Sequence, residues 1–174
     1  PWANEHILED FAASTTSVYQ TLFDFPCKTY IYISSSDVYE NHTSKKNTSE
    51  SKTIDPENLS TYGFHKYLSE CIVRNVINAK RLQAPLIKNY IILRCPMVLG
   101  TNLKKGPIYD ILHNSRLFIS EESRFQMITT KEIAQIIHFL LARNITKEVF
   151  NIGGRGTVLF SRITKYVHQP VIFP

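Results

Sequence analysis

The chain has 174 residues, 43% of them apolar and 20% charged, with a formal net charge of +5. A chain of this length can bury a real core as one domain or one and a fraction, and its composition is that of an ordinary globular protein. No apolar run approaches the roughly 20 residues that span a bilayer, and no basic segment followed by an apolar stretch opens the sequence, so a soluble cytoplasmic protein without membrane association is expected.

The positive charge allows nucleic-acid binding, but the basic residues are dispersed. Only the pairs Lys45-Lys46, Lys80-Arg81 and Lys104-Lys105 are adjacent, and no aromatic-interleaved basic stripe exists, so nucleic acid is not an expected partner. An anionic nucleotide-bearing substrate accounts for the excess equally well. Cys27, Cys71 and Cys95 are isolated and lack metal-ligand spacing, which fits free thiols in a reducing compartment. No two of the six histidines share metal-binding spacing, so no metal site is expected.

At the N-terminus Ile7, Leu8, Phe11, Val18, Leu22 and Phe23 recur at roughly helical spacing, predicting one or two helices that end before Pro26. Tyr30 to Ile33 form an apolar run that reads as a buried strand and stops at Ser34, Ser35 and Ser36. In an open parallel sheet the C-terminal strand ends are where ligands bind, which puts these hydroxyls at a site mouth. Residues 40–60 are polar and read as a long loop, either a functional lid or solvated surface. Pro56, Asn58 and Ser60 then supply turn and capping chemistry for a helix running from Tyr62 to about Leu82, with Leu68, Cys71, Ile72, Val76 and Ile77 as its apolar stripe.

Tyr62 and Lys66, at i and i+4, share one face of that helix. A free tyrosine ionises near pH ~10, and a lysine ammonium one turn away favours the phenolate, which is how a general base is tuned. A serine hydroxyl at the strand end would hold a substrate oxygen beside it. The trio describes carbinol oxidation; without that strand the pair is an amphipathic helix with a surface lysine.

Asn89 to Cys95 is a second buried strand, leaving through Pro96 and Gly100. A short helix from Ile108 to His113 and a strand at Leu117 to Ile119 follow. Thr130 can cap a helix with Ile133, Ile136, Ile137, Leu140 and Leu141 inward. Ser161 to His168 reads as a last helix.

A hydrophobic strand ending Ser-Ser-x-x-Val-Tyr, followed by Tyr-Gly-x-x-Lys with Tyr62 lying 27 positions after Ser35, resembles the extended short-chain dehydrogenase/reductase superfamily, the nucleotide-sugar epimerases, dehydratases and reductases. Anchored on Val38-Tyr39, the resemblance implies that Ser35, Tyr62 and Lys66 are catalytic, with Ser36 a second serine candidate. It implies NAD or NADP as cofactor, met by Tyr62 and Lys66. Leu-Arg-x-Pro-x-x-x-Gly from Leu93 to Gly100 is similar to the segment near the nicotinamide, so Pro96 and Met97 are cofactor-contact candidates beside the plain reading of a strand exit. Ser36, Asp37, Lys104 and Arg124 are substrate-side candidates; for each basic residue solvated surface is the alternative. Dehydratases of this group carry an Asp-Glu pair after the serine, whereas here Asp37 stands alone. In Arg124-Phe-Gln-Met-Ile-Thr-Thr-Lys-Glu, Phe125 stands at the family's arginine position and Glu132 at its aspartate.

The implied fold is α/β: a partial Rossmann-like parallel sheet with helices on both faces, from residues 1–100 and about 130–151, plus a small α/β substrate lobe over 101–174. The family's glycine-rich cofactor turn has no counterpart, since the first of six glycines is Gly63. The resemblance starts partway into the cofactor domain, which implies either a piece of a longer enzyme or a degenerate member acting as a binding or assembly partner. A nucleotide-sugar substrate and a homodimer through the Tyr62 helix are the implied partners.

Overall fold

The computed structural model describes residues 2–42, 44–79, 87–113 and 115–165. The predicted end of the Tyr62 helix at Leu82 and the end of the last helix at His168 lie outside them. In chain order the elements are α1 (Trp2–Glu5), α2 (Ile7–Phe11), a π-helical turn at Ala12–Thr16, α3 (Ser17–Asp24), β1 (Thr29–Ser35), α4 (Thr61–Asn78), β2 (Asn89–Cys95), β3 (Met97–Leu99), α5 (Pro107–Leu112), β4 (Arg124–Phe125), β5 (Met127–Thr129), α6 (Thr130–Ala142), β6 (Glu148–Asn151), β7 (Val158–Leu159) and α7 (Phe160–Thr164). They form two compact units, Pro1–Cys95 with Leu140–Asn151, and Pro96–Phe139 with Ile152–Pro174.

The first unit is built on a parallel sheet of order β1-β2-β6, in which Ser34 lies opposite Arg94, Ser35 opposite Cys95, and Arg94 opposite Asn151. Strand residues alternate between faces. Tyr32, Tyr90 and Ile92 share one face and are covered by Val18 and Leu22 of α3 and Val73 and Val76 of α4, which form a single buried cluster. The α/β class and Rossmann-like parallel sheet expected from the sequence are what this unit has.

The N-terminal segment is helical and ends before Pro26 as expected, but most of its apolar residues face outward. Val18 and Leu22 point inward, but Leu8 is 83% exposed and Ile7, Phe11 and Phe23 are exposed as well. Toward α4 this segment instead presents buried Asp10, Ser14 and Thr15. Ser69 donates to the Ser14 carbonyl (2.6 Å), Thr15 donates to the His65 carbonyl (3.2 Å), and the His65 ring meets the Asp10 carboxylate at 2.7 Å. Polar partners are satisfied pairwise here, so the apolar residues are left facing outward.

In the second unit β3 pairs with β5 in parallel and β4 with β7 antiparallel. Leu117 to Ile119 is not a strand. Leu117 instead fills a small core with Ile111 and Phe160, against which Ile119 and Phe125 pack, so its apolar run serves packing without strand pairing. The α6 helix is capped one residue earlier than expected. Thr129 Oγ1 accepts from the Glu132 amide, and Glu132 Oε2 accepts from both the Thr129 amide (2.8 Å) and its hydroxyl (2.7 Å). This is a reciprocal capping box, Thr-x-x-Glu, and those bonds hold the Glu132 carboxyl below the usual range. Leu141, expected inward, is 43% exposed.

Candidate active site

Strand β1 ends at Ser35, whose side chain accepts a hydrogen bond from the Asp37 amide (3.1 Å) and so starts a single 3-10 turn at Ser36–Val38. Across from it α4 begins with Ser60 as N-cap, its hydroxyl accepting from the Gly63 amide at 3.1 Å. The turn and the helix touch backbone to backbone: a Cβ on Gly63 would collide with the Asp37 carbonyl. That contact explains the glycine after Tyr62, since only an absent side chain permits the approach. Gly63→Ala is expected to cost roughly 1–3 kcal/mol in a denaturation experiment, because backbone on both sides must shift.

The three serines separate clearly. Ser34 is buried and donates to Glu70 Oε1 at 2.6 Å, Ser36 lies half-buried in the turn, and Ser35 is the one that bonds to Tyr62. Lys66, one helical turn beyond Tyr62, donates from Nζ to the Ile33 carbonyl (2.7 Å) and lies 4.7 Å above the Tyr32 ring. Ser35, Asp37, Tyr62 and Lys66 thus gather at the C-terminal end of β1, all within the first unit.

The electrostatics differ from the expectation that Lys66 pulls the Tyr62 phenol down. Burial is the largest influence, followed by the charges of Asp37 and Asp10; together they push Tyr62 up to about 12, with only the Ser35 hydrogen bond drawing it back. At neutral pH the phenol therefore keeps its proton. The consequence for stability has a definite sign. A proton held more tightly in the folded state contributes fully below the ordinary tyrosine range, near pH ~10, and that contribution is lost as pH rises through about 12. Between those values the melting temperature is expected to fall, and Tyr62→Phe to fall less steeply. Cys95, opposite Ser35, is pushed up by burial to about 11, so it is a thiol at neutral pH.

The remaining sequence candidates belong to the second unit. Pro96 and Met97 are half-buried where β3 begins, and Lys104 and Arg124 are exposed. A cleft of about 290 Å³ in that unit is lined by Ile128, Glu132, Gln135, Ile136, Phe139 and Gly153, none of them among the candidates. Behind the site lies a set of residues that local sequence patterns do not reveal. Arg94 clasps Glu70 with two bonds, Nε to Oε1 (2.9 Å) and Nη2 to Oε2 (2.7 Å), and its Nη1 donates to the Tyr39 hydroxyl at 2.7 Å. The available signal was an arginine within an otherwise apolar strand, since a buried charge needs a partner.

A dinucleotide can be tested against these residues. The hydroxyl and ammonium donors of Tyr62 and Lys66, one turn apart at a parallel strand end, fit a nicotinamide ribose. The glycines do not supply a cradle for its pyrophosphate. Cβ positions at Gly63, Gly153 and Gly154 are already occupied by Asp37, Gln126 and Met127, that at Gly100 is crowded by Thr130, and the open Gly106 and Gly156 precede a helix of only six residues and the two-residue strand β7. Among the described residues no group of three or more His, Cys, Asp or Glu side chains has metal-binding geometry.

The family model described as the NAD dependent epimerase/dehydratase family matches residues 3–153. Among solved structures the chain is similar to UDP-glucuronic acid 4-epimerase from Bacillus cereus, bound to UDP-4-deoxy-4-fluoro-glucuronic acid and NAD, at 20% identity and a TM-score of 0.69, over 92% of this chain and 53% of that one. It is similar to an NAD-dependent NDP-hexosamine 5,6-dehydratase of tunicamycin biosynthesis at 16% identity and a TM-score of 0.74, over 95% and 55%. A third likeness is to the dTDP-glucose 4,6-dehydratase of Streptomyces venezuelae, at 21% identity and a TM-score of 0.61, over 80% and 42%. At these identities the likeness is one of fold, and the chain spans about half the length of these relatives. No curated protein matches its sequence.

Proposed function

Because the chain belongs to the NAD dependent epimerase/dehydratase family, we propose that it carries the proton-handling side of an NAD- or NADP-dependent epimerase- or reductase-type oxidoreductase acting on a nucleotide-sugar. The observation that carries this reading is the meeting of Ser35, Tyr62 and Lys66 at the end of a parallel strand. A nicotinamide cofactor, when bound, takes and returns the hydride at the carbinol carbon. The proton is the protein's part. Ser35 orients the substrate oxygen, and Tyr62 exchanges a proton with it.

With its phenol protonated at neutral pH, Tyr62 is equipped first to protonate a carbonyl oxygen, the reductive half of an epimerisation. The oxidative half needs a nearby positive charge to favour the phenolate. Lys66 is the one residue on this face able to supply it, by exchanging its bond to the Ile33 carbonyl for one nearer the ribose and the phenol. Lys66 and Tyr62 are the residues that would hold the ribose, and Pro96 and Met97 extend the reading to the nicotinamide. On the substrate side it assigns Ser36 and Asp37 to the sugar, and Lys104 and Arg124 to the diphosphate.

A second reading, a non-catalytic binding or assembly member of the family, is kept because Gly63, Gly100, Gly153 and Gly154 are packed against protein, while only Gly106 and Gly156 are open. Calorimetric titration with NADH and NADPH, alone and with UDP-sugars, separates the two. Saturable binding that weakens in Lys66→Ala supports the oxidoreductase. A folded protein that binds neither nucleotide, both as this chain and when extended by any upstream coding sequence, supports the assembly partner. No helix among the described residues is long and apolar enough to cross a membrane.

A further inference from the structure

The loop after β1 is held by more than its own turns. The Tyr39 hydroxyl, which accepts from Arg94 Nη1 (2.7 Å), donates to Asn151 Oδ1 (2.9 Å) at the end of β6. Asn151 in turn donates its backbone N–H to Glu50 Oε1 (2.9 Å) and its side-chain amide to the Thr48 carbonyl. A single file of polar contacts thus runs from Glu70 on α4, through Arg94 on β2 and Tyr39, to Asn151 on β6 and the strap of residues 44–51. Glu70, Arg94 and Tyr39 are each no more than 3% exposed. Tyr39 also closes the turn that carries Asp37, its amide donating to the Ser36 carbonyl (3.0 Å), and that turn rests on Gly63 beside Tyr62.

We propose that Arg94 and Tyr39 are positioning residues of the site. Through the Tyr39 hydroxyl the buried Arg94–Glu70 pair sets the turn bearing Ser35 and Asp37 against Tyr62, and through Asn151 it sets the strap over residues 44–51. Arg94 suits the task because its planar fork fixes direction as well as distance: two donors grip the carboxylate of the Tyr62 helix, and a third grips the phenol of the turn. The aromatic ring keeps Tyr39 packed with Val38 and Ile54 whether or not its oxygen is bonded. The hydroxyl therefore serves alignment, while the ring serves packing. The proposal rests on the catalytic reading of Ser35, Tyr62 and Lys66 for its meaning, but not for its test.

The test uses Tyr39→Phe, which keeps the ring and removes the oxygen, and Asn151→Ala, which removes the acceptor of the Tyr39 hydroxyl and the side-chain bond to the Thr48 carbonyl while keeping the backbone bond to Glu50. Both are compared with wild type without substrate or cofactor. In protein labelled with carbon-13 at tyrosine Cζ, the Tyr62 resonance is the one lost in Tyr62→Phe. Tyr39→Phe is expected to move it, whereas Tyr67→Phe, in the same apolar cluster, leaves it in place. In hydrogen exchange, the Asn47 and Lys52 amides, bonded within the strap's own turns, are expected to exchange roughly tenfold faster in both Tyr39→Phe and Asn151→Ala, while β2 amides keep their protection. An unmoved Tyr62 resonance in Tyr39→Phe, or unchanged strap exchange in Asn151→Ala, overturns the proposal. Asn151 is exposed, so its variant keeps the test decisive if Tyr39→Phe does not fold. Neither readout measures turnover, so failure here leaves the catalytic reading standing, and the converse also holds.

Discussion

Tyr62→Phe is expected to lower turnover of a nucleotide-sugar by about 10²–10⁴-fold, the usual worth of a positioned proton donor or acceptor. The size follows from what surrounds the phenol. Asp37 and Asp10 are negative and oppose its ionisation, and the Ser35 side chain is the hydrogen-bonding neighbour that draws the proton the other way. Cys95, buried and thiol at neutral pH, is a poor substitute donor. Ser35 and Cys95 are therefore not expected to take over the proton transfer when the oxygen is deleted. Stability is expected to change little, by about 1 kcal/mol, since one hydrogen bond is lost and the ring is retained. Nucleotide binding is expected to persist, because Lys66 and the strand end are untouched. A variant that turns over at the wild-type rate would remove Tyr62 from the mechanism and leave the binding-partner reading as the better one.

What the sequence revealed and what it hid follow from how far apart the interacting residues lie. The apolar run ending in hydroxyls, and the Tyr62–Lys66 spacing on one helix, are local patterns, and periodicity reads them. The capping box of Thr129 and Glu132 is equally local, yet the expected cap was the neighbouring Thr130, one residue too late. The polar chain behind the site has no local pattern. Arg94 and Tyr39 are 55 positions apart, and Tyr39 and Asn151 are 112 apart. Only the stacking of β1, β2 and β6 in that order brings them together. Helical periodicity placed the N-terminal helices before Pro26 but not the face they bury, because it registers apolar residues and is silent about a face made of Asp10, Ser14 and Thr15. That face is buried because His65, Ser69 and the α4 backbone supply its partners, information carried about 50 residues downstream.

Arg94→Met is expected to cost about 3–5 kcal/mol, a large share of a typical domain's stability, measurable as a drop in the urea midpoint. Glu70 is fully buried, and Arg94 and Ser34 are the partners that satisfy its two oxygens, with Arg74 more distant at 3.6 Å. Removing the guanidinium strands a carboxylate that water cannot reach, and it also leaves the Tyr39 hydroxyl without its donor. Burial alone would make Arg94 easier to deprotonate, yet its bonds to Glu70 and Tyr39 more than reverse that, so the pair is tightly matched in charge and shape. A matched pair is costly to halve and cheap to delete whole. The double variant Glu70→Leu, Arg94→Met is therefore expected to recover most of the loss, because two compensating charges leave together and apolar volume replaces them. Recovery should stop short of wild type, since the Ser34 and Tyr39 hydroxyls still lose partners. Urea denaturation of both variants decides the matter. If the double variant is as unstable as Arg94→Met, the cost lies in packing around β2 rather than in an orphaned charge, and the pair is not the electrostatic clasp its geometry describes. If the double variant is stable yet turns over slowly, the clasp is maintained for the alignment of Tyr62 rather than for the stability of the fold.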